Sequence, residues 1–413
     1  MKLKDFLYRY TSFTLAKVSL FIGRSAILIL SFQWLSSTEF ALVASAFSLV
    51  EILRVITDMG SEQIIYSRLS SANKPIPNIV KSLVTFRVQV SFLVTALFSF
   101  TSYFILSSDI WPLFLLPAIY SLQSSSISFI QKKRDFTKIF ILVILVIMAA
   151  LLSIFIAFFY EITGIFLIYL MIFPELFAAV AALVISKNAW YNIILYKYRT
   201  FHLIPKLLPY ILPSFTVSIL VILYTRLDLI LVLPLLGKLS QANYSIGFRL
   251  VEPVFLILAL GSLSLLAELG SYTTFNSRLT GKRLMQSLDA IRYFLLILGG
   301  VILAFCFQYI SLHLLDLSVA SAWVTFFLAL AIPIKLCNTF FSALLQRNGR
   351  YFILMQAAII TFLFSIIFGL ILGNYIGIVG IALATLIAES SNFLYQKYQV
   401  KKMLRNFKYE MQS

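Results

Sequence analysis

The sequence has few charged residues, few cysteines and few histidines for its length. Only 12% of the 413 residues are charged, whereas soluble domains carry about 25%. Cys306 and Cys337 both lie in apolar stretches, and His202 and His313 are far apart. This pattern predicts neither a disulfide framework nor a histidine-based metal site. The sequence also lacks a glycine-rich phosphate-binding motif, which argues against direct ATP hydrolysis.

Apolar residues dominate what is present, at 61% of the chain, with a mean hydropathy of +0.97. No soluble fold can bury this much apolar surface, so the composition predicts lipid as the solvent for most of it. Runs of about 20 apolar residues predict an all-α polytopic membrane protein with about twelve transmembrane helices. They lie at roughly 12–34, 38–60, 81–106, 111–130, 139–160, 163–186, 207–233, 242–266, 287–308, 321–344, 351–373 and 376–396.

The basic residues predict the orientation of these spans. Among the loop residues, almost every Lys and Arg falls on one side, and Lys238 is the exception. Positive loops stay in the cytoplasm, so both termini are predicted to be cytoplasmic and the number of spans even. The same rule accounts for the net charge of +17 without nucleic acid as a partner.

A short repeat suggests two homologous halves. Phe47-Ser48-Leu49-Val50-Glu51 in the second span recurs as Phe248-Arg249-Leu250-Val251-Glu252 in the eighth, with four of the five residues identical. The copies lie six predicted spans apart, so the halves would be related by an axis along the membrane normal. We therefore predict two six-helix lobes, 1–200 and 201–413.

Eight basic residues lie inside predicted spans, where a charge is costly. They are Lys17, Arg24, Arg54, Arg87, Arg226, Arg249, Arg292 and Lys335. Lys17, Arg87, Arg292 and Lys335 are near enough to span ends for their charged groups to reach water. The other four lie deeper and are predicted to line a cavity. The competing interpretation is that they form internal ion pairs that only hold helices together.

Helical spacing indicates which residues can form such pairs. Glu51, Arg54 and Asp58 are spaced i, i+3, i+7 and share one helix face, so either acid can neutralise Arg54. Arg249 and Glu252 are spaced i, i+3 and can pair in the same way. A pair of this kind can still exchange partners when a substrate or a proton arrives.

Arg24 differs because no acidic residue lies within a helical turn of it. Its planar guanidinium suits a phosphate through two parallel hydrogen bonds, so Arg24 is the first choice for substrate contact. Acids inside spans can carry a proton or bind a cation. The candidates for ion coupling are Asp228, Glu252, Glu51, Asp58 and Glu175.

At several positions the chain resembles the Wzx-type polysaccharide flippases of the multidrug/oligosaccharidyl-lipid/polysaccharide exporter superfamily. The first two spans match that family in an in-span Arg, an outer acidic-aromatic pair and a closing Asp-x-Gly. The residues are Arg24, Glu39-Phe40 and Asp58-Met59-Gly60. The second half matches in Asp228 and Tyr244, and departs from the family at Asn243 and at 267–270.

The resemblance implies two lobes around a central cavity, as in drug-exporting relatives, and a transporter rather than an enzyme. Such flippases move undecaprenyl-diphosphate-linked oligosaccharide to the periplasmic leaflet of the bacterial inner membrane by alternating access. Arg24, Arg54, Arg226 and Arg249 would then contact the diphosphate. No cofactor is expected beyond H⁺ or Na⁺ for coupling, and the partners would be membrane lipids and the polysaccharide polymerase and chain-length machinery.

Three other functions compete with this one. A drug or cation antiporter of the same fold would need a cavity that attracts cations, which an excess of buried Arg opposes. A polysaccharide polymerase or ligase usually displays a large outer loop with basic residues, but the longest predicted outer loop, 309–320, has only His313 and Asp316. A structural scaffold would have no use for eight in-span bases.

Overall fold

The computed structural model describes residues 35–61, 65, 78–105, 110–132, 136–160, 165–194, 200–271 and 290–410. Every regular element in these ranges is a helix, which confirms the all-α prediction. The chain divides into two compact units, Met1–Ile222 and Leu223–Ser413. The lobes 1–200 and 201–413 stay a prediction.

In the described part of the first unit, six α-helices precede the long helix that begins at Thr200. They are α1 Ser37–Asp58, α2 Asn78–Phe100, α3 Leu116–Lys132, α4 Phe136–Phe159, α5 Ile165–Ile185 and α6 Lys187–Ile194. Helix α3 is central, because α1, α2, α4 and α5 all pack against it. Its polar side chains are therefore held inside the unit.

The acidic-aromatic pair Glu39-Phe40 has a structural explanation at the start of α1. Ser36 and Glu39 form a capping box, in which the Glu39 N–H donates to the Ser36 hydroxyl and the Ser36 N–H donates to the Glu39 carboxylate. These bonds satisfy amide groups that a helix start leaves open. Phe40 is fully buried, so the pair fixes where α1 begins.

The longest helix, α7 (Thr200–Ser271), is broken at Gly237, where φ is 82°. Its parts are called α7a (200–236) and α7b (238–271). Arg226 and Glu252 are in contact, although 26 residues of straight helix would separate them by about 39 Å. The two parts therefore run back along each other, and Gly237 makes the turn because a positive φ suits glycine.

Five more helices follow in the described part of the second unit. They are α8 Ala290–Tyr309, α9 Val319–Leu330, α10 Ile332–Arg347, α11 Tyr351–Ile376 and α12 Ile378–Glu410. Helical geometry persists from α8 through Leu314, so the connection predicted at 309–320 is shorter and His313 lies on a helical turn. The apolar core of this unit is built around Leu229, Tyr244, Phe248 and Leu328.

Ten stretches of the described residues are long and apolar enough to cross a membrane. Nine match one predicted span each, and Ile211–Phe255 covers two because α7 turns back at Gly237. The chain is a multi-pass membrane protein. The first predicted span, 12–34, lies outside the described residues, so the count of twelve stays a prediction.

The tenth predicted span is divided within the membrane. Helix α9 ends at Leu330 and α10 begins at Ile332, with Pro333 in its first turn. Proline has no N–H to donate, so it suits the start of a helix and not its interior. Gly300 of α8 faces this break, and a Cβ atom added there would overlap the Pro333 ring.

Neighbouring glycines of α8 test this packing. We expect Gly300→Ala to lower stability by about 1–3 kcal/mol, because the new methyl group must displace Pro333. At Gly299 a methyl group would meet nothing within 4 Å, so Gly299→Ala is the matched control and should leave the unfolding temperature unchanged or slightly higher. Thermal unfolding of the purified protein in detergent measures both, and equal unfolding temperatures would contradict the proposed contact.

Candidate functional site

Glu252 lies between two arginines in the second unit. The Arg226 NH2 atom is 2.6 Å from Glu252 Oε1, and the Arg249 NH1 atom is 2.5 Å from Glu252 Oε2. Arg226 comes from α7a and the other two residues from α7b, so the turn at Gly237 assembles the group. The guanidinium of Arg226 also lies over the Phe248 ring, 5.3 Å from its centroid. We call Arg226, Arg249 and Glu252 the arginine triad.

The arginine triad is buried and carries an excess of positive charge. The side chains of Arg226, Arg249 and Glu252 are 6%, 1% and 2% exposed. Two guanidinium groups share one carboxylate, which leaves one positive charge without a matching acid inside the triad. The Nε and NH1 atoms of Arg226 are buried and have no hydrogen-bond partner in the described part of the chain. Such donors favour an anion with several acceptor oxygens.

Asp228 and Tyr244, the two residues of the second-half motif, are in contact. The Tyr244 hydroxyl donates to Asp228 Oδ2 at 2.7 Å, and the Leu229 N–H donates to Oδ1 at 2.8 Å. Both side chains are buried. Arg226 forms its ion pair with Glu252, which fits the i, i+2 spacing of Arg226 and Asp228, since residues at that spacing leave a helix on different faces.

Lys335 corrects a sequence-based prediction. It was expected to reach water at a span end, but its Nζ lies 3.0 Å from Glu389 Oε1, and its side chain is 14% exposed. Glu389 itself is 2% exposed. A lysine held by an internal acid does not need the aqueous interface, so this position belongs to the interior of the second unit.

A polar stripe joins α10 to α12 around this pair. Lys335, Asn338 and Ser342 are spaced i, i+3, i+7 on α10, and Glu389, Asn392 and Gln396 have the same spacing on α12. Asn338 Nδ2 donates to Glu389 Oε2 at 2.8 Å, and the Ser342 hydroxyl donates to Gln396 Oε1 at 3.0 Å. The stripe was not predicted from the sequence, although its helical spacing in apolar segments is visible there.

The described arginines of the first unit each pair with an acid of their own. Arg54 Nε lies 3.4 Å from Glu51 Oε2, which confirms the predicted pairing within α1. Asp58, the other acid offered for Arg54, instead lies 3.0 Å from NH1 of Arg87. Arg87 is 4% exposed and its NH2 donates to Ser124 of α3, so the prediction that it reaches water is wrong. The buried acid Glu175 accepts from Gln123 at 3.4 Å.

The internal repeat places equivalent residues in equivalent environments. Glu51 and Glu252 are 1% and 2% exposed, and each is paired with an arginine three residues away in its own helix. The arginine follows the glutamate in the first copy and precedes it in the second. Both copies of the repeat therefore keep the buried carboxylate, but they differ in whether the paired arginine comes before or after it in the sequence.

Some predicted positions are not tested by these contacts. Arg24 and Lys17 lie outside the described residues, and the side chain of Arg292 is also outside them. Within the described ranges, no three His, Cys, Asp or Glu residues are grouped as metal ligands. The arginine triad and the Asp228–Tyr244 contact are therefore the best-defined candidate site.

Comparison with known proteins defines the architecture. No protein-family model and no curated protein matches the sequence. The eukaryotic MATE transporter AtDTX14 has a similar structure, with a TM-score of 0.65 at 14% identity over 98% of this chain and 97% of that one. The Vibrio cholerae MATE transporter VcmN in its bent form matches at 0.64, with 13% identity over 98% and 97%. The chain has a MATE-like fold.

A flippase shares this MATE-like fold. Lipid II flippase MurJ, in an inward closed conformation, matches with a TM-score of 0.62 and 18% identity over 94% of this chain and 87% of that one. A multidrug resistance MATE transporter of the MOP superfamily also matches, which is the superfamily that the resemblance indicated. At these identities the comparisons establish the fold, and Wzx-type membership stays a prediction.

The Arg87–Asp58 pair allows the two interpretations of Arg87 to be separated. We expect Arg87→Ala to lower stability by about 1.5–3 kcal/mol, because it removes a buried guanidinium that contacts Asp58 and donates to Ser124. If Arg87 reached water instead, the change would be within about 0.5 kcal/mol. Lys138→Ala is the matched control, since Lys138 is an exposed base on α4.

The double variant Asp58→Ala/Arg87→Ala completes the measurement. It removes both charges, so its unfolding temperature in detergent should recover part of the loss seen with Arg87→Ala. Additive losses would show that the two residues do not interact.

Proposed function

We propose that the chain is a flippase that moves undecaprenyl-diphosphate-linked oligosaccharide from the cytoplasmic to the periplasmic leaflet of the bacterial inner membrane. The observation that carries the proposal is the arginine triad, in which two buried guanidinium groups share one carboxylate. The diphosphate of such a lipid is an anion that must pass through a medium of low dielectric constant. Fixed guanidinium groups offset the cost of removing it from water.

Glu252 would act as the internal competitor of the substrate. In this structure the Glu252 carboxylate contacts both guanidinium groups and neutralises one of their two positive charges. A diphosphate offers more acceptor oxygens than a carboxylate and can engage Arg226 and Arg249 together. Its arrival would displace Glu252 from one or both arginines, which makes partner exchange the central step of binding.

The other proposed contacts support the same role. Arg24 and Arg54 are proposed as additional diphosphate contacts. Arg54 pairs with Glu51, one arginine to one acid, whereas two arginines of the triad share Glu252. We therefore place the main anion contact at Arg226 and Arg249 and a subsidiary one at Arg54.

Ion coupling would use the buried acids. Asp228, Glu252, Glu51, Asp58 and Glu175 remain the candidates for H⁺ or Na⁺. Asp228 is the strongest among them in its geometry, because its described hydrogen bonds come from a neutral hydroxyl and an amide and not from a guanidinium. Lipid-linked oligosaccharide is the proposed cargo, and polysaccharide polymerase and chain-length proteins are the proposed partners.

A drug or cation antiporter is the second candidate, since MATE transporters share the fold. Buried Asp228 and Glu175 are groups that a cationic drug or a coupling ion would use. The excess positive charge of the arginine triad opposes a cationic cargo at that position, which is why the flippase is preferred. A polymerase is less favoured, because the outer connection after α8 is reduced to residues 315–318 and carries no Arg or Lys.

Single arginine variants test the proposed site. We expect Arg226→Ala and Arg249→Ala each to lower surface polysaccharide at least about tenfold, because a lost charge-assisted contact is worth about 1.5–3 kcal/mol. Each variant leaves Glu252 with one guanidinium, so folding should be preserved. Arg→Lys replacements should retain part of the activity, since they keep the charge but not the two-pronged geometry.

The measurement compares surface polysaccharide in a deletion strain that carries each variant at equal membrane levels. Lys238→Ala is the control, because Lys238 is an exposed base outside the triad, and it should match the wild type. Normal polysaccharide in both alanine variants, together with drug sensitivity on deletion of the gene, would favour the antiporter and reject the flippase.

A further inference from the structure

Lys335 is a partly buried cation inside a span to which the proposed function gives no role. It sits in the first turns of α10, just after the break at Ala331. Its Nζ lies 3.0 Å from Glu389 Oε1 and 4.1 Å from the centroid of the Phe255 ring. With a side chain that is 14% exposed, compared with 6% for Arg226 and 1% for Arg249, it is the most accessible of these three cations.

Glu389 does not depend on Lys335 for its hydrogen bonds. Asn338 Nδ2 donates both to Glu389 Oε2, at 2.8 Å, and to the Glu389 backbone carbonyl, at 3.1 Å. The polar stripe continues one turn further with Ser342 and Gln396. Helices α10 and α12 therefore keep these hydrogen bonds if the lysine moves away.

The lysine also has a second favourable neighbour when it leaves Glu389. An ammonium group over an aromatic face is attracted by the ring, and this attraction is stronger away from water. Lysine has a flexible stem and a compact charge, so it can pivot on Phe255 to meet a ligand. Together, Asn338 and Phe255 lower the cost of separating the Lys335–Glu389 pair.

Two phenylalanine rings connect Lys335 to the arginine triad. Lys335 Nζ lies 4.1 Å from the centroid of the Phe255 ring, and the centroids of Phe255 and Phe248 are 6.4 Å apart. The Arg226 guanidinium in turn lies 5.3 Å from the Phe248 centroid. Arg226 keeps two buried N–H positions, Nε and NH1, without a hydrogen-bond partner in the part of the chain that the structure describes. The N–H groups of Arg226 that lack a partner and the ammonium group of Lys335, which can leave Glu389, therefore lie in the same part of the second unit.

We propose that Lys335 is a third cationic contact for the anionic group of the cargo, with Glu389 as the acid that the cargo replaces. The ligand class is a phosphate or diphosphate ester of a polyprenol. The inference rests on the proposed function and adds to it a contact on α10, outside α7. Lysine contributes charge and reach, and the arginines contribute fixed geometry.

Binding of a short polyprenyl diphosphate to the purified full-length protein in nanodiscs tests this assignment. The corresponding polyprenol is the neutral probe, and inorganic diphosphate shows whether the lipid is required. We expect Lys335→Ala to weaken binding of the diphosphate about tenfold to a hundredfold without changing polyprenol binding. Lys335→Arg should recover most of the affinity because it restores the charge.

Glu389→Gln provides the readout that a structural pair would not give. The glutamine keeps a side-chain acceptor for Asn338 but removes the negative charge that competes for Lys335. A larger fraction of the protein then has Lys335 available to the ligand. Diphosphate binding should become several-fold tighter, by roughly the factor by which that fraction increases. A lysine that only holds helices would instead make Glu389→Gln less stable with unchanged affinity. Lys397→Ala is the matched control, because Lys397 also lies over a phenylalanine ring, that of Phe393.

The outcomes separate this inference from the function on which it rests. Loss of diphosphate binding in Lys335→Ala, with tighter binding in Glu389→Gln, supports the third contact. Wild-type binding in both variants, with loss in Arg249→Ala, overturns the third contact and leaves the flippase proposal standing. If the wild-type protein binds polyprenol and polyprenyl diphosphate equally, both proposals fail.

Discussion

A charged group inside a membrane protein needs a partner of opposite sign, and this requirement organises the described helices. A charge at the centre of a bilayer costs several kcal/mol unless it is paired or hydrated. The in-span cations whose side chains the structure describes accordingly lie against carboxylates, and three of the five contacts join different helices or helix segments. The contacts are Arg54–Glu51 within α1, Arg87–Asp58 between α2 and α1, Arg226–Glu252 between α7a and α7b, Arg249–Glu252 within α7b, and Lys335–Glu389 between α10 and α12.

These pairs are not equivalent in their charge balance, and the difference bears on function. In the first unit each described guanidinium has its own acid, whereas Arg226 and Arg249 share Glu252. A balanced pair resists any further ion, because an incoming charge is repelled by one member as it is attracted by the other. The three side chains of the arginine triad together carry one net positive charge, and this is the feature on which the proposed anion contact rests.

The MATE-like fold by itself does not select a cargo, because drug exporters and a lipid flippase both adopt it. Cargo choice has to come from the side chains that the fold brings together. Among the described residues of the second unit, Arg226 and Arg249 contact Glu252, Lys335 contacts Glu389, and Asp228 is buried against Tyr244. Cations that can leave their acids suit a phosphate, and acids that remain can serve a coupling ion. Under the proposed function, the second unit would bind both the cargo and the coupling ion, and the binding of one would affect the other.

The sequence alone determined the helical class, the position of most spans and the pairs that lie within one helix. Apolar length and i, i+3 spacing are local properties, so Glu51 with Arg54 and Glu252 with Arg249 were predictable. Only the tertiary structure decided the pairs between helices. Distance from a span end suggested that Arg87 and Lys335 reach water, but Asp58 and Glu389 lie against them instead. Which acid a cation contacts depends on which helices pack together, and the spacing of residues along one helix does not contain that information. The same holds for the turn at Gly237, which brings Arg226 to Glu252 as its second arginine.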